Sequence, residues 1–468
     1  MTRTAPDFAH LFIGSDIEVP TLNGTRRRYI NFDSAASTPP LQIVQETINK
    51  FMRYYSSVHR GTGFKSQVST HFYEVARKTV LDFVGADPRE HTCIFGKNTT
   101  EAINKLARRF PFTPDRYVVM TTGMEHHSND LPWRTQTRTV HIELTGDGRL
   151  DEADFDNKLE QYAERLALVT VTGASNVTGY LNPIYRLAEK THAAGAQIAV
   201  DCAQLAAHRK IDMGTLEDAS HLDYIAISAH KMYAPLGTGA LIGRRDTFET
   251  GDPDMTGGGT VEIVTLDDVV WAEPPDRDEA GSPNTIGAIA LAAAIKTLDV
   301  VGMDRIADHE AELTEYCLSQ LLNVPGIEIF GDVDPNSAQE RLGVIPLRLK
   351  NQSHFLTAAI LGYEYGIGVR SGCFCAHPYI LHLLGLTPQE AQLVREMMIN
   401  GNKTEMPGLV RASFGLYNSK AEVDELIAAL NDIVKGKFRG LYTQDSASGE
   451  YHPQDWSPDF NHYFSLDV

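Results

Sequence analysis

The chain has 468 residues, 42% hydrophobic and 22% charged, the balance of a globular protein too long for one ordinary domain, so a large domain with a smaller one packed on it is expected. Lys and Arg number 42 against 61 Asp and Glu, a formal charge of −19, which argues against nucleic acid as a partner. Five cysteines in no even framework fit a reducing, cytoplasmic setting, and neither a membrane span nor a secretory leader is expected, for want of a long apolar run or a cleavage-site pattern.

After an N-terminal arm over residues 1–30, Ile30 to Pro40 reads as a short strand running into Ser34, Ala35 and Ala36, small residues that let backbone approach a ligand or another chain. A helix from about Leu41 to Tyr55 follows, then Val58-His59-Arg60-Gly61, whose arginine can meet an anion or only water. Asn98 and Glu101 match a capping box ahead of Ile103, Leu106, Ala107 and Phe110 at helical spacing. The free amides of that helix start, with Thr99 and Thr100, suit a phosphate as well as they suit a plain capped helix.

Val118 to Thr122 reads as a strand ending near His126 and His127. With no further ligand at metal spacing, the two rings point to stacking or proton traffic and not to a metal. Leu168 to Thr172 is another buried strand, closing at Ser175-Asn176, and a helix from Leu187 to Ala194 leads into the apolar strand Gln197 to Asp201. A carboxylate at the end of such a strand needs a cationic partner if it is buried.

The strand Asp223 to Ser228 ends at His230-Lys231. In open α/β sheets ligands sit at that edge, so Asp201 and Lys231 should converge on one crevice. A desolvated amine attacks carbonyls as a Schiff-base nucleophile, and an acid beside it suggests pyridoxal phosphate, whose ring nitrogen wants an anion and whose aldehyde wants a lysine. A solvated loop lysine and a satisfied structural aspartate are the plainer alternative. Gly-rich loops at 255–260 and 279–285 precede an Ala-rich helix to about Leu298. Beyond it come a helix to Leu322, strands Ile327 to Phe330 and Val344 to Leu349, and a helix to Tyr365, the pattern of an α+β domain. The expected division is therefore a large domain over 31–300, a small one over 301–437 and an aromatic tail over 438–468 that packs on a surface or a second subunit.

These stations, taken in order, resemble the class V aminotransferase family of fold-type I pyridoxal-phosphate enzymes, in its cysteine desulfurase and selenocysteine lyase branch. The resemblance rests on DSAAS at 33–37, VHRG at 58–61, NTTEAIN at 98–104, MEHHSN at 124–129, SNVTG at 175–179, VDCAQ at 200–204, SAHKMYAPLGTG at 228–239, EAGSPN at 279–284, VRSGCFCAHP at 369–378 and VRASFGLYN at 410–418. It implies an α/β fold with a mostly parallel seven-stranded sheet between helices, a smaller C-terminal α+β domain, an arm packed on that domain, and a homodimer with shared active sites.

By the same resemblance Lys231 holds the cofactor, Asp201 pairs with its ring nitrogen, His126 stacks on the ring, and Gln204 and Asn176 lie near the phenolic oxygen. Thr99, Thr100, Ser228 and His230 hold the phosphate, joined by Ser282 from the other subunit, while Arg411 grips the substrate carboxylate beside Ala36, His59 and Asn176. Cys375 aligns with the cysteine that attacks substrate sulfur and carries a persulfide, for a sulfur-acceptor protein to collect. The implied reaction turns cysteine into alanine. The loop departs from many desulfurases of this branch, which carry two histidines before that cysteine, and its Gly-Cys-Phe-Cys order is similar to that of the molybdenum-cofactor sulfurases. If the loop is extended, Cys373 and Cys375 share a face and the second thiol can relay a persulfide; the plainer reading makes Cys373 a bystander thiol. The segment Leu383 to Leu409 is longer than in short desulfurases. Other amino-acid lyase or aminotransferase chemistry, sulfur transfer like that of the molybdenum-cofactor sulfurases, and a non-catalytic sulfur-handling protein are the alternatives.

Overall fold

A seven-stranded sheet organises the larger part of the chain in the computed structural model, which describes residues 8–59 and 61–466. Arg60, the candidate anion contact, lies outside the described residues. The strands are β1 (His91–Gly96), β2 (Val118–Thr122), β3 (Arg138–Ile142), β4 (Leu166–Thr172), β5 (Gln197–Asp201), β6 (Tyr224–Ser228) and β7 (Gly239–Arg244). They lie in the order β1-β7-β6-β5-β4-β2-β3. Strands β2 to β6 pair in parallel, whereas β7 runs antiparallel between β1 and β6. It follows that β1 points the same way as β2 to β6, and their carboxyl ends open on one edge.

The expected α/β architecture is thus the observed one, and the apolar runs have a physical cause. Both faces of the sheet are covered, so β4 and β6 are buried along their whole length. Alternate residues serve different cores: Ile225 and Ile227 join one and Tyr224 and Ala226 the other. Each fully buried large aliphatic side chain contributes about 1.5–3 kcal/mol, so Ile225→Asp would break the sheet at the strand that delivers Lys231.

A second, antiparallel sheet holds β8 (Ile327–Ile329), β9 (Val344–Leu349), β10 (Arg370–Gly372) and β11 (Leu409–Ser413) in the order β8-β9-β11-β10. Leu313, Ile345, Leu347, Val410 and Phe414 pack into its own core. The N-terminal arm touches both cores: Phe12 sits edge-on to Tyr233 and Tyr417 in the first, and Ile30 enters the second, with Arg28 paired to Glu422 at 2.6 Å beside it.

Two elements had no counterpart in the sequence reading. Helix His377–Leu383 leads out of the cysteine loop, and the long segment beyond it carries helix Pro388–Ile399, opened by a Thr387/Glu390 capping box yet burying no residue. The aromatic tail forms a hairpin of Tyr442–Gln444 and Tyr451–Pro453, and Tyr442 donates to Glu364 Oε1 at 3.0 Å. Among the described residues no single helix is long and apolar enough to cross a membrane.

Candidate active site

At the carboxyl edge of the large sheet lies a cavity of about 450 Å³. Five strand ends build it: Asn98 to Thr100 follow β1, His126 and Ser128 follow β2, Asn176 follows β4, Asp201 and Gln204 close β5, and Ser228 to Lys231 close β6. Ala36, Cys375 and Arg411 complete the wall from outside the sheet. Twelve sequence-predicted site residues, counting Thr99, Thr100 and His230 among them, therefore meet in one place. His59 and Ser282 do not. The ring of His59 lies edge-on to Tyr73 with centroids 6.0 Å apart, and Ser282 is exposed on the rim of a separate hollow with Lys97 and Asn284.

Lys231 ends the single 3-10 turn that follows β6. Burial lowers its amine to about 8, opposed by Asp201. Asp201 is itself buried, accepts a 2.9 Å bond from the Ala203 N–H, and is raised by desolvation against that bond and Lys231. His126 is held to about 4 by burial and then by Lys231. Its Nδ1 accepts from the Ser128 N–H at 3.1 Å, which puts the ring hydrogen of the neutral form on Nε2.

The anion-binding end is hydroxyl-rich. Helix Thr99–Arg109 is capped by Asn98, whose side chain accepts from the Glu101 N–H. Ser228 Oγ accepts from the Thr99 N–H at 2.8 Å, and Thr100 and Ser128 hydroxyls lie 2.7 Å apart. Backbone N–H groups and the positive end of the helix dipole therefore face the cavity together.

Opposite them Arg411 is almost fully buried. It donates to Asn176 O at 2.9 Å and to Asp33 Oδ1 at 3.1 Å, while its buried Nε has no partner. Burial lowers it to about 10, against the pull of Asp33. Phe374 lies under the guanidinium at 4.8 Å. Arg370, half-exposed, holds the other oxygen of Asp33 at 3.0 Å.

The cysteine loop is not extended. Phe374 and Cys375 take φ of 52° and 54°, in the left-handed region, so Cys373 and Cys375 do not share a face. Cys375 is exposed, whereas Cys373 is buried, pushed up to about 12 by desolvation, and donates to Pro407 O at 2.9 Å. The condition for two thiols on one face is therefore not met, and a buried Cys373 fits the bystander reading.

Sequence reasoning left four contributors unassigned. Asp33 and Arg370 orient Arg411, Ser128 sets the His126 tautomer, and Glu125, buried behind Asp201, is raised to about 8 by desolvation. All four lie inside quoted motifs, and only their three-dimensional partners reveal what they do. Asn176, on the cavity wall as expected, has a further contact: its Nδ2 donates to Phe374 O at 2.8 Å, tying the nucleophile loop to the sheet.

Known proteins fit this geometry. The family model of class-V aminotransferases matches residues 30–426. The chain is 34% identical to a probable cysteine desulfurase of Streptomyces coelicolor, over 86% of this chain and 91% of that protein. It is also 34% identical to a cysteine desulfurase of Serratia proteamaculans, over 88% and 95%. Among solved structures, an apo cysteine desulfurase of Thermococcus onnurineus superposes with a TM-score of 0.76 at 33% identity, covering 87% of this chain and 95% of that one. A cysteine desulfurase of Escherichia coli in an S-sulfonic acid form gives 0.73 at 27% identity, over 92% and 98%. With two thirds of its length and more accounted for in this way, the chain belongs to the class-V aminotransferase family.

Proposed function

We propose that the protein is a pyridoxal-phosphate-dependent cysteine desulfurase that converts L-cysteine to L-alanine and leaves a persulfide on Cys375. The observation that carries this reading is the placing of one exposed thiol, Cys375, on the wall of a cavity that also holds buried Lys231, Asp201 and Arg411.

The residues present fit the cofactor. A buried amine of lowered basicity, a carboxylate behind it, a flat neutral imidazole and a hydroxyl-lined helix start are the donor set a phosphorylated pyridine aldehyde requires. Lys231 would hold it covalently, Asp201 would keep its ring nitrogen charged, His126 would stack on it, and Thr99, Thr100, Ser228 and His230 would hold its phosphate. When bound, pyridoxal phosphate supplies an aldehyde for amines and a sink for electrons released at Cα.

The chain's own groups then divide the work. Arg411 takes the substrate carboxylate, its buried fork already oriented by Asp33 and by the ring of Phe374. Lys231 Nζ, neutral in a good share of molecules near pH 8, takes the Cα proton. Cys375 attacks as thiolate. A bond forms between its Sγ and the substrate Sγ, the substrate's Cβ–Sγ bond breaks, and the carbon keeps the electron pair and is protonated to alanine.

We further read the protein as a homodimer that passes sulfur to an acceptor. The hairpin Val261–Val264 and Val269–Trp271 exposes Ile263, Val264, Leu266, Val269 and Val270, and two strands alone are too few for an independent core. The exposed position of Ser282 supports the reading that the partner subunit's Ser282 reaches this cavity. An assay of purified protein with L-cysteine, scoring alanine, pyruvate and bound sulfur, tests the function. Alanine with equimolar bound sulfur is expected; pyruvate and ammonia would replace the reading with β-elimination.

A further inference from the structure

Cys375 is held in a conformation its backbone resists. Phe374 and Cys375 are successive non-glycine residues in the left-handed region, where Cβ crowds the following carbonyl, so neighbouring contacts must hold them there. Three do so. Asn176 Nδ2 donates to Phe374 O at 2.8 Å. The His127 N–H donates to Cys375 O at 2.8 Å. On the far side of the nucleophile, the His377 N–H donates to His127 Nε2 at 3.3 Å. Two of the three belong to one residue, His127, the neighbour of the cavity-lining His126.

One state of the His127 ring accepts the His377 N–H. An Nε2 that accepts from a backbone N–H carries the lone pair, so the hydrogen of the neutral ring sits on Nδ1. The same Nε2 lies 3.2 Å from His377 Nδ1, and the two rings are stacked with centroids 5.0 Å apart and 8° between planes. A proton on His127 Nε2 would turn the acceptor into a donor: it could still turn to His377 Nδ1, but the bond from the His377 N–H would be lost.

We propose that His127 is a positioning residue for the nucleophile: its backbone N–H and ring Nε2 clasp the Cys375 loop on both sides, and protonation of the ring opens the clasp. The importance of the clasp for catalysis rests on Cys375 being the sulfur carrier; its existence does not.

The surroundings set the direction of the pH response. The groups facing His127 are the stacked His377, the His126 ring at 6.3 Å, and Asp130 and Arg134 from the following turn. Asp130 is already engaged by Arg134 and by His141. Burial, then His377, holds His127 below the usual imidazole value against Asp130, and burial does the same to His377. The clasp is therefore closed at neutral pH and opens as pH falls below the ordinary imidazole range.

Amide hydrogen exchange on the cofactor-loaded enzyme reads the clasp directly, because the His377 N–H is one of its bonds. Loss of one such bond should lower the protection of that amide about tenfold. The parent should show this drop as pH is lowered from about 7.5 to about 4.5, well below the ordinary imidazole value of about 6.5. His127→Gln, whose amide oxygen accepts at any pH, should keep its protection throughout, and His127→Phe should have lost it already at neutral pH. His127→Phe should also lower kcat for alanine formation with KM for cysteine unchanged. Parental protection in His127→Phe, a parent whose protection does not fall with pH, or a loosened His127→Phe with undiminished kcat would each overturn the proposal. Failure of the desulfurase reading would appear elsewhere, as missing alanine and bound sulfur in a parent whose clasp still titrates.

Discussion

Asp201 and Lys231 close the neighbouring parallel strands β5 and β6, and each is under pressure to give up its charge. Burial raises the Asp201 carboxyl and lowers the Lys231 amine to about 8, and their mutual attraction opposes both shifts. The pair is poised between a neutral form that can react and a charged form that can hold a partner's opposite charge.

That poise sets the pH dependence of cofactor capture. Only the neutral amine adds to an aldehyde, so uptake of pyridoxal phosphate by cofactor-free protein should quicken as pH rises and level off above about 8. Borohydride reduction followed by peptide mapping should place the cofactor on Lys231, and Lys231→Arg should take up none covalently. An inflection near the ordinary lysine value of about 10.4 would contradict the desolvation argument.

Arg411 should act on substrate affinity and leave the cofactor alone. Arg411→Lys keeps a positive charge but loses the fork that spans Asn176 O and Asp33. Hydrogen bonds to charged groups contribute about 1.5–3 kcal/mol, so KM for cysteine should rise roughly ten- to hundredfold, with cofactor absorbance unchanged. Steady-state kinetics beside an absorption spectrum checks both halves.

Asn98 ties helix stability to the anion site. Its side chain accepts from the Glu101 N–H at 3.0 Å, and removing such a cap costs about 1 kcal/mol. Asn98→Ala should lower the unfolding free energy of the cofactor-free protein by that amount, read as a lower denaturation midpoint, and weaken retention of the cofactor. An unchanged midpoint would show that the cap contributes nothing here.

Much of this was legible in the sequence, for physical reasons that also mark where legibility ended. Strands β2 and β5 were readable almost to the residue because parallel strands covered on both faces must be apolar throughout. The convergence of Asp201 and Lys231 followed from strand ends sharing one edge. Helix Pro388–Ile399 escaped although its Thr387/Glu390 box was present, because its apolar residues Ala391, Val394 and Met398 stay only half-buried and join no core. The turn that separates Cys373 from Cys375 escaped because Phe and Cys do not announce a left-handed backbone as glycine does. The role of His127 depends on His377, 250 residues away in sequence, and local pattern does not encode such a pairing.

The most direct test of the account is mass spectrometry of the Cys375 peptide after the enzyme has turned over L-cysteine without reductant. The account predicts one added sulfur atom on Cys375, and Cys375→Ala should bind its cofactor yet form neither bound sulfur nor alanine beyond background. Sulfur found on another cysteine, or full alanine production by Cys375→Ala, would contradict it.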